Sequence, residues 1–274
     1  MHRERPRTGQ LAGLFFELRE APKASSQMDV PLLLLPGLLS DGRQLSRLCR
    51  LLQRRVLVVD PLGCGHSEAP SDPAAYTFAA QTARLLALLG ELALPVVDLA
   101  GFSMGGMWAQ HALLTSPQRF RHACLVATAP STDPRLRCIV RGLIAQHRAG
   151  VSQLDLFRTL QVMCLSAQFL DHPSIIPMLE VLWEGQNHPT TAVSGQLNAL
   201  LSHDEQERLP QLTSVRAVIA GADDFLMPPL VQRRLAALVH QPAPELIASA
   251  GHALWVECPD RLATALNQAL PVSR

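Results

Sequence analysis

Short apolar runs that end at turn residues alternate along this chain with longer segments in which apolar residues recur at helical spacing. Residues 32–35 and 56–59, for example, are wholly apolar runs that stop at Pro36 and Asp60. This alternation is typical of a mostly parallel sheet covered by helices. It predicts strands over residues 11–18, 32–35, 56–59, 96–100, 123–127, 215–220 and 245–248, and helices over residues 41–53, 74–89, 104–114, 230–239 and 259–270.

The alternation stops between residues 131 and 208, where only helical patterns occur. These patterns cover residues 136–147, 154–170, 175–183 and 191–201. We interpret an all-helical insert inside an alternating chain as a lid over an active site rather than as a separate domain. The chain is therefore divided into a first core segment (1–130), a helical cap (131–208) and a second core segment (209–274).

Composition narrows the class of protein. With 274 residues, 48% of them hydrophobic and 17% charged, the chain is expected to bury a substantial core, and disorder is excluded. The formal charge of +1 argues against a dedicated binder of nucleic acid or of anionic membranes. The six cysteines are scattered without metal-ligand spacing, which predicts free thiols in a reducing compartment. Without a secretion signal or a long apolar run, we expect a cytoplasmic protein.

One motif carries a clear chemical signal. From Gly101 to Gly105 the chain reads Gly-Phe-Ser-Met-Gly, between a predicted strand and a predicted helix. The two glycines avoid collisions when a tight turn forces Ser103 into a strained conformation that exposes its hydroxyl over the sheet. The helix that begins at Met104 directs its N–H groups toward the place where an oxyanion would form. The alternative is a serine in an ordinary glycine-rich turn.

A serine hydroxyl is a weak nucleophile unless a base removes its proton, and a carboxylate usually orients that base. His252 directly follows the last predicted strand, where a loop would present it. His66 is the other histidine near a strand end. Asp223 and Asp224 follow the preceding strand, and the pattern of residues leaves both open as the carboxylate. The chain therefore carries the three side chains that an activated serine requires.

Taken together, these motifs make the chain resemble an α/β-hydrolase over nearly its whole length. The matching segments are Pro36-Gly37-Leu38, the turn Asp60–Ser67 of the form Asp-x-x-Gly-x-Gly-x-Ser, the elbow Gly101–Gly105, and Gly221-x-x-Asp224-x-x-x-Pro228 followed by Gly251-His252. The resemblance implies an α/β fold with a mostly parallel doubly wound sheet and a helical cap inserted after the sixth strand. Pro36 departs from the family, which usually has histidine before this glycine.

The resemblance also implies the roles of individual residues. Ser103 is the expected nucleophile, His252 the base and Asp224 the acid that orients it. Asp224 is preferred to Asp223 because it matches the family spacing. The backbone N–H groups of Leu38 and Met104 are the expected oxyanion hole. His66 then belongs to the glycine turn and has a structural role.

The pocket is expected to be apolar. Leu39 in the first loop, Trp183 in the insert and Trp255 just after His252 are the candidate substrate-binding residues. Few charged groups lie near the motifs, which favours a medium-sized apolar substrate. The sequence has no His-Glu-x-x-His and no dinucleotide-binding glycine loop, so we expect neither a metal nor a cofactor. The expected partner is a small-molecule substrate, with no nucleic acid and no membrane; a homodimer stays open.

Three functions remain at this point. The first is a cofactor-independent serine hydrolase that cleaves a carboxylic ester or thioester. The second is an enzyme that uses the same site for another reaction, such as a cyclase, lyase, C–C bond hydrolase or acyl transferase. This alternative stays open because the fold and the triad do not decide the reaction. The third is a ligand-binding protein on a hydrolase scaffold. The complete set of Ser103, Asp224 and His252 favours an enzyme, since a binding protein has no physical need for all three.

Overall fold

Residues 6–21, 30–184 and 188–271 are the part of the chain that the computed structural model describes. Within these ranges the strands are β1 (Arg7–Leu11), β2 (Leu14–Arg19), β3 (Leu32–Leu35), β4 (Val56–Val59), β5 (Val97–Phe102), β6 (Phe120–Val126), β7 (Val215–Gly221) and β8 (Glu245–Ile247). They form one sheet in the order β1-β2-β4-β3-β5-β6-β7-β8. The β1–β2 and β2–β4 pairs are antiparallel, and all other pairs are parallel. The predicted α/β class with a mostly parallel sheet is confirmed.

Helices cover both faces of this sheet. In the described ranges they are α1 (Ser46–Leu51), α2 (Phe78–Glu91), α3 (Met104–Thr115), α4 (Pro134–Arg148), α5 (Gln153–Cys164), α6 (Ala167–Leu170), α7 (Ile175–Glu184), α8 (Thr190–Ser202), α9 (Pro229–Leu238), α10 (Leu254–Glu257) and α11 (Pro259–Ala269). Short 3₁₀ helices cover Pro73–Tyr76, Pro117–Arg119 and Leu209–Gln211.

The sheet separates two apolar cores, because its central strands are buried on both faces. In β3, Leu33 and Leu35 pack into one core together with α2, α3 and α9. Leu32 and Leu34 pack into the other core together with α1 and α11. Side chains alternate between the faces of a strand, so a parallel strand with helices on both sides is apolar throughout. This is why β3 is a run of four leucines.

The helices α4 to α8 follow one another between β6 and β7, which is the predicted place of the helical insert. Helix α8 packs against α4 and against the 3₁₀ helix Pro73–Tyr76 of the core. The last helix of the insert is therefore anchored on both sides. The boundaries of the proposed cap, 131 and 208, stay a prediction.

The parallel arrangement brings several loops to one edge of the sheet. The carboxyl ends of β3, β5, β7 and β8 point to the same edge, because these strands run in one direction. Leu38 follows β3, Ser103 follows β5, Asp224 follows β7 and His252 follows β8. Residues far apart in sequence are thereby brought within reach of one another, as is usual for sites of open α/β sheets.

The prediction of a single leading strand over residues 11–18 is wrong. The structure has a hairpin instead, with β1 and β2 joined by Ala12 and Gly13, both of which have positive φ angles (50° and 79°). A two-residue turn of this kind matches the twist of paired strands. Gly13 was the signal for it, and the apolar alternation alone did not reveal the turn.

Two predicted helices are also shorter or broken. The segment 41–53 begins as turns, because the Asp41 carboxylate accepts the N–H of Arg43 at 2.9 Å, and the regular helix α1 starts only at Ser46. The segment 154–170 is interrupted at Leu165, and the Ser166 hydroxyl caps the following short helix by accepting the N–H of Phe169. Local side-chain hydrogen bonds to the backbone compete here with helix continuation. Helix α10 was not predicted.

A buried charge network holds the opposite, amino edge of the sheet. Asp98 in β5 is fully buried and accepts hydrogen bonds from Arg54 at 2.5 Å and from Arg121 at 2.7 Å. Arg54 also donates to the carbonyl oxygens of Val30 and Leu270 at 2.8 Å each. Burial acts to raise the pKa of Asp98, but the hydrogen bonds from the two arginines outweigh it, so the pKa lies below its ordinary value.

Removal of Asp98 is expected to be much more costly than removal of an exposed aspartate in a similar pair. We expect Asp98→Ala to lower the free energy of unfolding by about 3–5 kcal/mol, because it leaves a buried guanidinium without its counter-charge. Asp260→Ala is the matched control, since the Arg47–Asp260 pair is 63% exposed on both side chains, and its loss is expected to cost at most about 1 kcal/mol. Urea unfolding measures both, and equal costs would contradict the assignment.

Candidate active site

The turn between β5 and α3 presents Ser103 in a strained backbone conformation, with φ 53° and ψ −119°. The neighbouring strand supports this turn directly. The Ser103 N–H donates to the Val126 carbonyl at 2.9 Å, and the Thr128 hydroxyl donates to the Ser103 carbonyl at 2.8 Å. A non-glycine residue in such a conformation persists only where its surroundings hold it, and such positions cluster at functional sites.

The glycines of this turn are required by close packing. A Cβ atom at Gly105 would collide with the carbonyl oxygens of Leu35 and Pro36, and one at Gly101 would collide with the carbonyl oxygen of Gly105. The loop after β3 therefore lies directly against the start of α3. Without both glycines the serine turn and this loop could not approach each other.

His252 and Asp224 lie next to Ser103. The Ser103 Oγ is 2.8 Å from the His252 Nε2, and the His252 Nδ1 is 2.9 Å from the Asp224 Oδ2. The other carboxylate oxygen of Asp224 accepts the Met227 N–H at 2.8 Å. Because an ionised carboxylate only accepts, the Nδ1–H of His252 donates to Asp224, which leaves Nε2 to accept the serine hydroxyl. Asp223, the alternative acid, is exposed.

The loop after β3 covers Ser103. A Cβ atom at Gly37 would lie 3.3 Å from the Ser103 Cβ, so the glycine passes directly over the serine side chain. The Leu38 N–H donates to no residue in the described part of the chain. Met104 is the first residue of α3, and N–H groups in the first turn of a helix have no partner within the helix. Both predicted oxyanion donors are therefore available.

Gln196 holds this loop, and the sequence analysis missed it. Its side chain is fully buried in α8; its Oε1 accepts the Leu39 N–H at 2.9 Å, and its Nε2 donates to the Leu62 carbonyl at 2.9 Å. The same Nε2 is 3.1 Å from the Cys64 sulfur. One side chain of the helical insert thus connects the loop over Ser103 to the glycine turn after β4. Only its helical spacing was visible in the sequence.

Glu257 in α10 holds the loop that carries His252. One of its carboxylate oxygens accepts the N–H groups of Gly251 and Ser166, each at 3.1 Å, and the other accepts the Ser166 hydroxyl at 2.6 Å. The Ala253 N–H also donates to the Cys164 carbonyl at 2.9 Å. The histidine loop is therefore tied to the break between α5 and α6. Sequence reasoning missed Glu257 as well.

Two adjoining cavities open at the site. The smaller, about 80 Å³, contains Ser103 and His252, and apolar side chains such as Leu136 and Leu143 of α4 line it. The larger, about 440 Å³, extends beneath the insert along the side chains of α5 and α7. Four residues line both cavities: Leu38, Leu160, Cys164 and Trp255. A substrate with its reactive carbon at Ser103 has apolar space on both sides.

The three predicted substrate-binding residues lie in different places. Trp255 lines both cavities, and its ring packs edge-on against Phe102 at 5.5 Å. Trp183 lines the larger cavity and stacks on Phe157 at 4.1 Å. Leu39 is different: its side chain is buried in the main core, and its neighbour Leu38 lines both cavities instead. The positive φ angle of Leu39, 49°, marks a sharp turn in the chain at this residue.

Other titratable groups near the site do not compete with Ser103. Burial raises the pKa of the Cys164 thiol, so this cysteine is a protonated thiol at neutral pH and a poor nucleophile. All six cysteines are free thiols, and Cys138 is exposed. His66 packs on the ring of Phe15 in the glycine turn. In the described ranges there is no cluster of three metal-ligating side chains.

Burial raises the pKa of Asp60, which anchors the glycine turn, to about 6. Its carboxylate accepts the N–H groups of Gly42 at 2.8 Å and His66 at 3.2 Å.

The described helices include none long and apolar enough to cross a membrane.

The chain is similar to known hydrolases in both sequence and fold. The model of the Alpha/beta hydrolase family matches residues 32–265. A candidate carbamate hydrolase, RutD, of Caulobacter vibrioides is 25% identical over 275 residues, which cover 94% of this chain and 95% of that protein. The esterase of Thermogutta terrifontis superposes with a TM-score of 0.81 at 23% identity, covering 96% of this chain and 98% of that one. The enol-lactonase of Burkholderia xenovorans LB400 gives a TM-score of 0.80 at 20% identity, covering 96% and 99%.

Gln196→Leu is expected to loosen the loop over Ser103, because it leaves the buried Leu39 N–H without an acceptor. We expect hydrogen exchange at the Leu39 amide to become at least about tenfold faster, and the free energy of unfolding to fall by about 1–3 kcal/mol. Gln110→Leu is the control, since this buried glutamine of α3 donates to the Ala129 carbonyl, away from the loop after β3. It should leave exchange at Leu39 unchanged. Unaltered exchange in Gln196→Leu would contradict the positioning role.

Proposed function

The chain belongs to the alpha/beta hydrolase family, and on this premise we propose that it is a cofactor-independent serine hydrolase. Its proposed substrate is a carboxylic ester or thioester with a medium-sized apolar portion. The observation that carries the proposal is the continuous hydrogen-bonded chain Ser103–His252–Asp224, with distances of 2.8 and 2.9 Å. A serine aligned in this way with a neutral imidazole and a buried carboxylate is an activated nucleophile.

In the proposed first step, His252 Nε2 takes the hydroxyl proton as Ser103 Oγ attacks the carbonyl carbon. The carbonyl π bond breaks, and its oxygen becomes an oxyanion that the N–H groups of Leu38 and Met104 stabilise. Asp224 stabilises the imidazolium that forms and holds its tautomer. The imidazolium then gives its proton to the leaving oxygen or sulfur, the bond to it breaks, and an acyl-enzyme remains.

In the proposed second step, water replaces the leaving group. His252 takes a proton from the water while its oxygen attacks the acyl carbon, and the same two N–H groups stabilise the second oxyanion. Collapse of this intermediate returns the proton to Ser103 Oγ and releases the carboxylic acid. The chemistry needs no group beyond the three side chains and two backbone N–H groups.

The apolar cavities support the proposed substrate class. Leu136, Leu143 and Leu160 surround the serine side of the smaller cavity, and the aromatic rings of Trp183 and Trp255 bound the larger one. An apolar acyl or ring-bearing group gains free energy by leaving water for such a surface. The total volume lies within the range of small-molecule sites.

Ser103→Ala is expected to abolish covalent labelling and turnover without loss of the fold. A fluorophosphonate should add one adduct to the wild-type chain and none to the variant, as measured by intact mass. Hydrolysis of p-nitrophenyl esters should fall at least about a thousandfold, because serine and base act as a unit. An adduct on Ser103→Ala, or turnover by it, would overturn the assignment of the nucleophile. No adduct and no ester turnover in the folded wild type would overturn the proposed function.

The two adjacent aspartates offer a matched test of the acid. Asp224→Asn is expected to lower kcat by about a thousandfold or more, because an amide cannot hold His252 in the reactive tautomer. Asp223→Asn changes the same group one residue away, on an exposed side chain, and should leave kcat within about twofold. The ratio of the two kcat values decides the assignment, and the reverse order would move the acid to Asp223.

A further inference from the structure

One wall of the larger cavity is cationic. Arg43, Arg47 and Arg50 line it, whereas the rest of the lining is apolar or uncharged and includes no aspartate or glutamate among the described residues. The three arginines stand four and three residues apart, the spacing that places side chains on one face of a helix. They belong to α1 and to the turn that precedes it. The wall is therefore a row of arginine side chains beside an apolar space.

The three arginines of this wall differ in their partners within the protein. Arg43 is held by the buried Asp41, through bonds of 2.9 and 2.6 Å to one carboxylate oxygen. Arg47 pairs with Asp260 at 3.0 Å on the surface. The Arg50 side chain makes no hydrogen bond and no ion pair with the part of the chain that the structure describes. Arg50 is therefore the arginine of this wall that has no carboxylate partner among the described residues.

The cavity that the arginines line adjoins the cavity that contains the reactive serine. The larger cavity adjoins the smaller one at Leu38, Leu160 and Trp255. In the larger cavity, a molecule that reaches in from Ser103 would meet apolar side chains of α5 and α7, such as Phe157 and Leu179, and the arginines. Only an apolar chain or ring with a polar end matches both parts.

We propose that the substrate carries a carboxylate at the end of its apolar portion remote from the scissile bond, and that Arg50 and Arg47 bind this carboxylate. The inference rests on the proposed serine hydrolase function and names the substrate class of the same site. A carboxylate matches the unpaired guanidinium of Arg50, because a guanidinium binds a carboxylate with two parallel hydrogen bonds. The apolar middle of the substrate fills the space between Ser103 and the wall.

The test compares substrates that differ only at the far end. For the acyl side, the neutral substrate is p-nitrophenyl octanoate, and the charged one is the mono-p-nitrophenyl ester of octanedioic acid, with butanedioic and dodecanedioic homologues to vary the length. For the alcohol side, octyl acetate is compared with 8-acetoxyoctanoate, an acetate ester whose alcohol portion ends in a carboxylate. We expect at least one charged substrate to exceed its neutral counterpart about tenfold in kcat/KM. Raised ionic strength should reduce this preference.

The key variant is the double substitution Arg47→Gln with Arg50→Gln, which leaves the Asp41–Arg43 pair intact. It should lower kcat/KM for the charged substrate about tenfold, mainly through KM, and leave the neutral substrate within about twofold. Arg50→Lys should retain part of the preference because it keeps the charge. Arg233→Gln with Arg234→Gln is the matched control, since these exposed arginines of α9 line neither cavity; it should change neither substrate.

Two results separate this inference from the proposed function. If the wild type hydrolyses neutral esters and reacts with a fluorophosphonate at Ser103, yet shows no preference for a charged substrate of any length on either side, the serine hydrolase stands and the carboxylate site is wrong. The same holds if the Arg47/Arg50 variant lowers kcat/KM equally for charged and neutral substrates. If neither kind of ester is hydrolysed and no label is found, the proposed function itself is wrong.

Discussion

The strained backbone at Ser103 is the constraint on which the rest of the site depends. A residue with φ 53° between a strand and a helix persists only because its surroundings leave no other conformation. Those surroundings include the Val126 carbonyl and the Thr128 hydroxyl, which bind the Ser103 backbone. On the other side, the carbonyl oxygens of Leu35 and Pro36 touch the start of α3 so closely that Gly105 has no room for a side chain. This second contact brings the loop after β3 over the serine side chain, so the strained turn and the oxyanion donors beside it depend on the same close packing.

The helical insert contributes to the site by hydrogen bonds as well as by covering it. Gln196 binds the loop over Ser103, and Ser166 and Cys164 bind the loop of His252, the former through Glu257. Both loops of the core are thus held by groups from α5 to α8. A movement of these helices would displace the oxyanion loop and the base together. Catalytic geometry needs this kind of support, because a serine and a base that drift by an ångström no longer react efficiently.

Charge is distributed unevenly over the molecule, although the chain carries a formal charge of only +1. At the amino edge of the sheet, Asp98 is buried between Arg54 and Arg121, and both arginines pair with it. Near the carboxyl edge, Arg50 of α1 has no carboxylate partner among the described residues and lines a mostly apolar cavity. The first arrangement stabilises a fold, because each buried charge has its partner. The second leaves a charge for a ligand, which is why we connect it with the substrate.

The amino-acid sequence by itself determined the fold class, the serine turn and the order of Ser103, aspartate and His252. Each of these is a local signal: apolar period, glycine spacing, or position after a strand. The residue pattern alone left both Asp223 and Asp224 open as the acid of the site, and the spacing typical of the family selected Asp224. In the structure, Asp224 is buried against His252, and Asp223 is exposed. Only the tertiary structure decided that Gln196 reaches Leu39, that Glu257 holds Gly251, and that the arginines of α1 line the cavity. Gln196 and Leu39 are 157 positions apart, and Glu257 and Ser166 are 91 positions apart. The arginines of α1 line the cavity together with residues of α5 and α7, which lie more than one hundred positions further along the chain. A local pattern carries no information about such pairs, because they depend on how the elements pack.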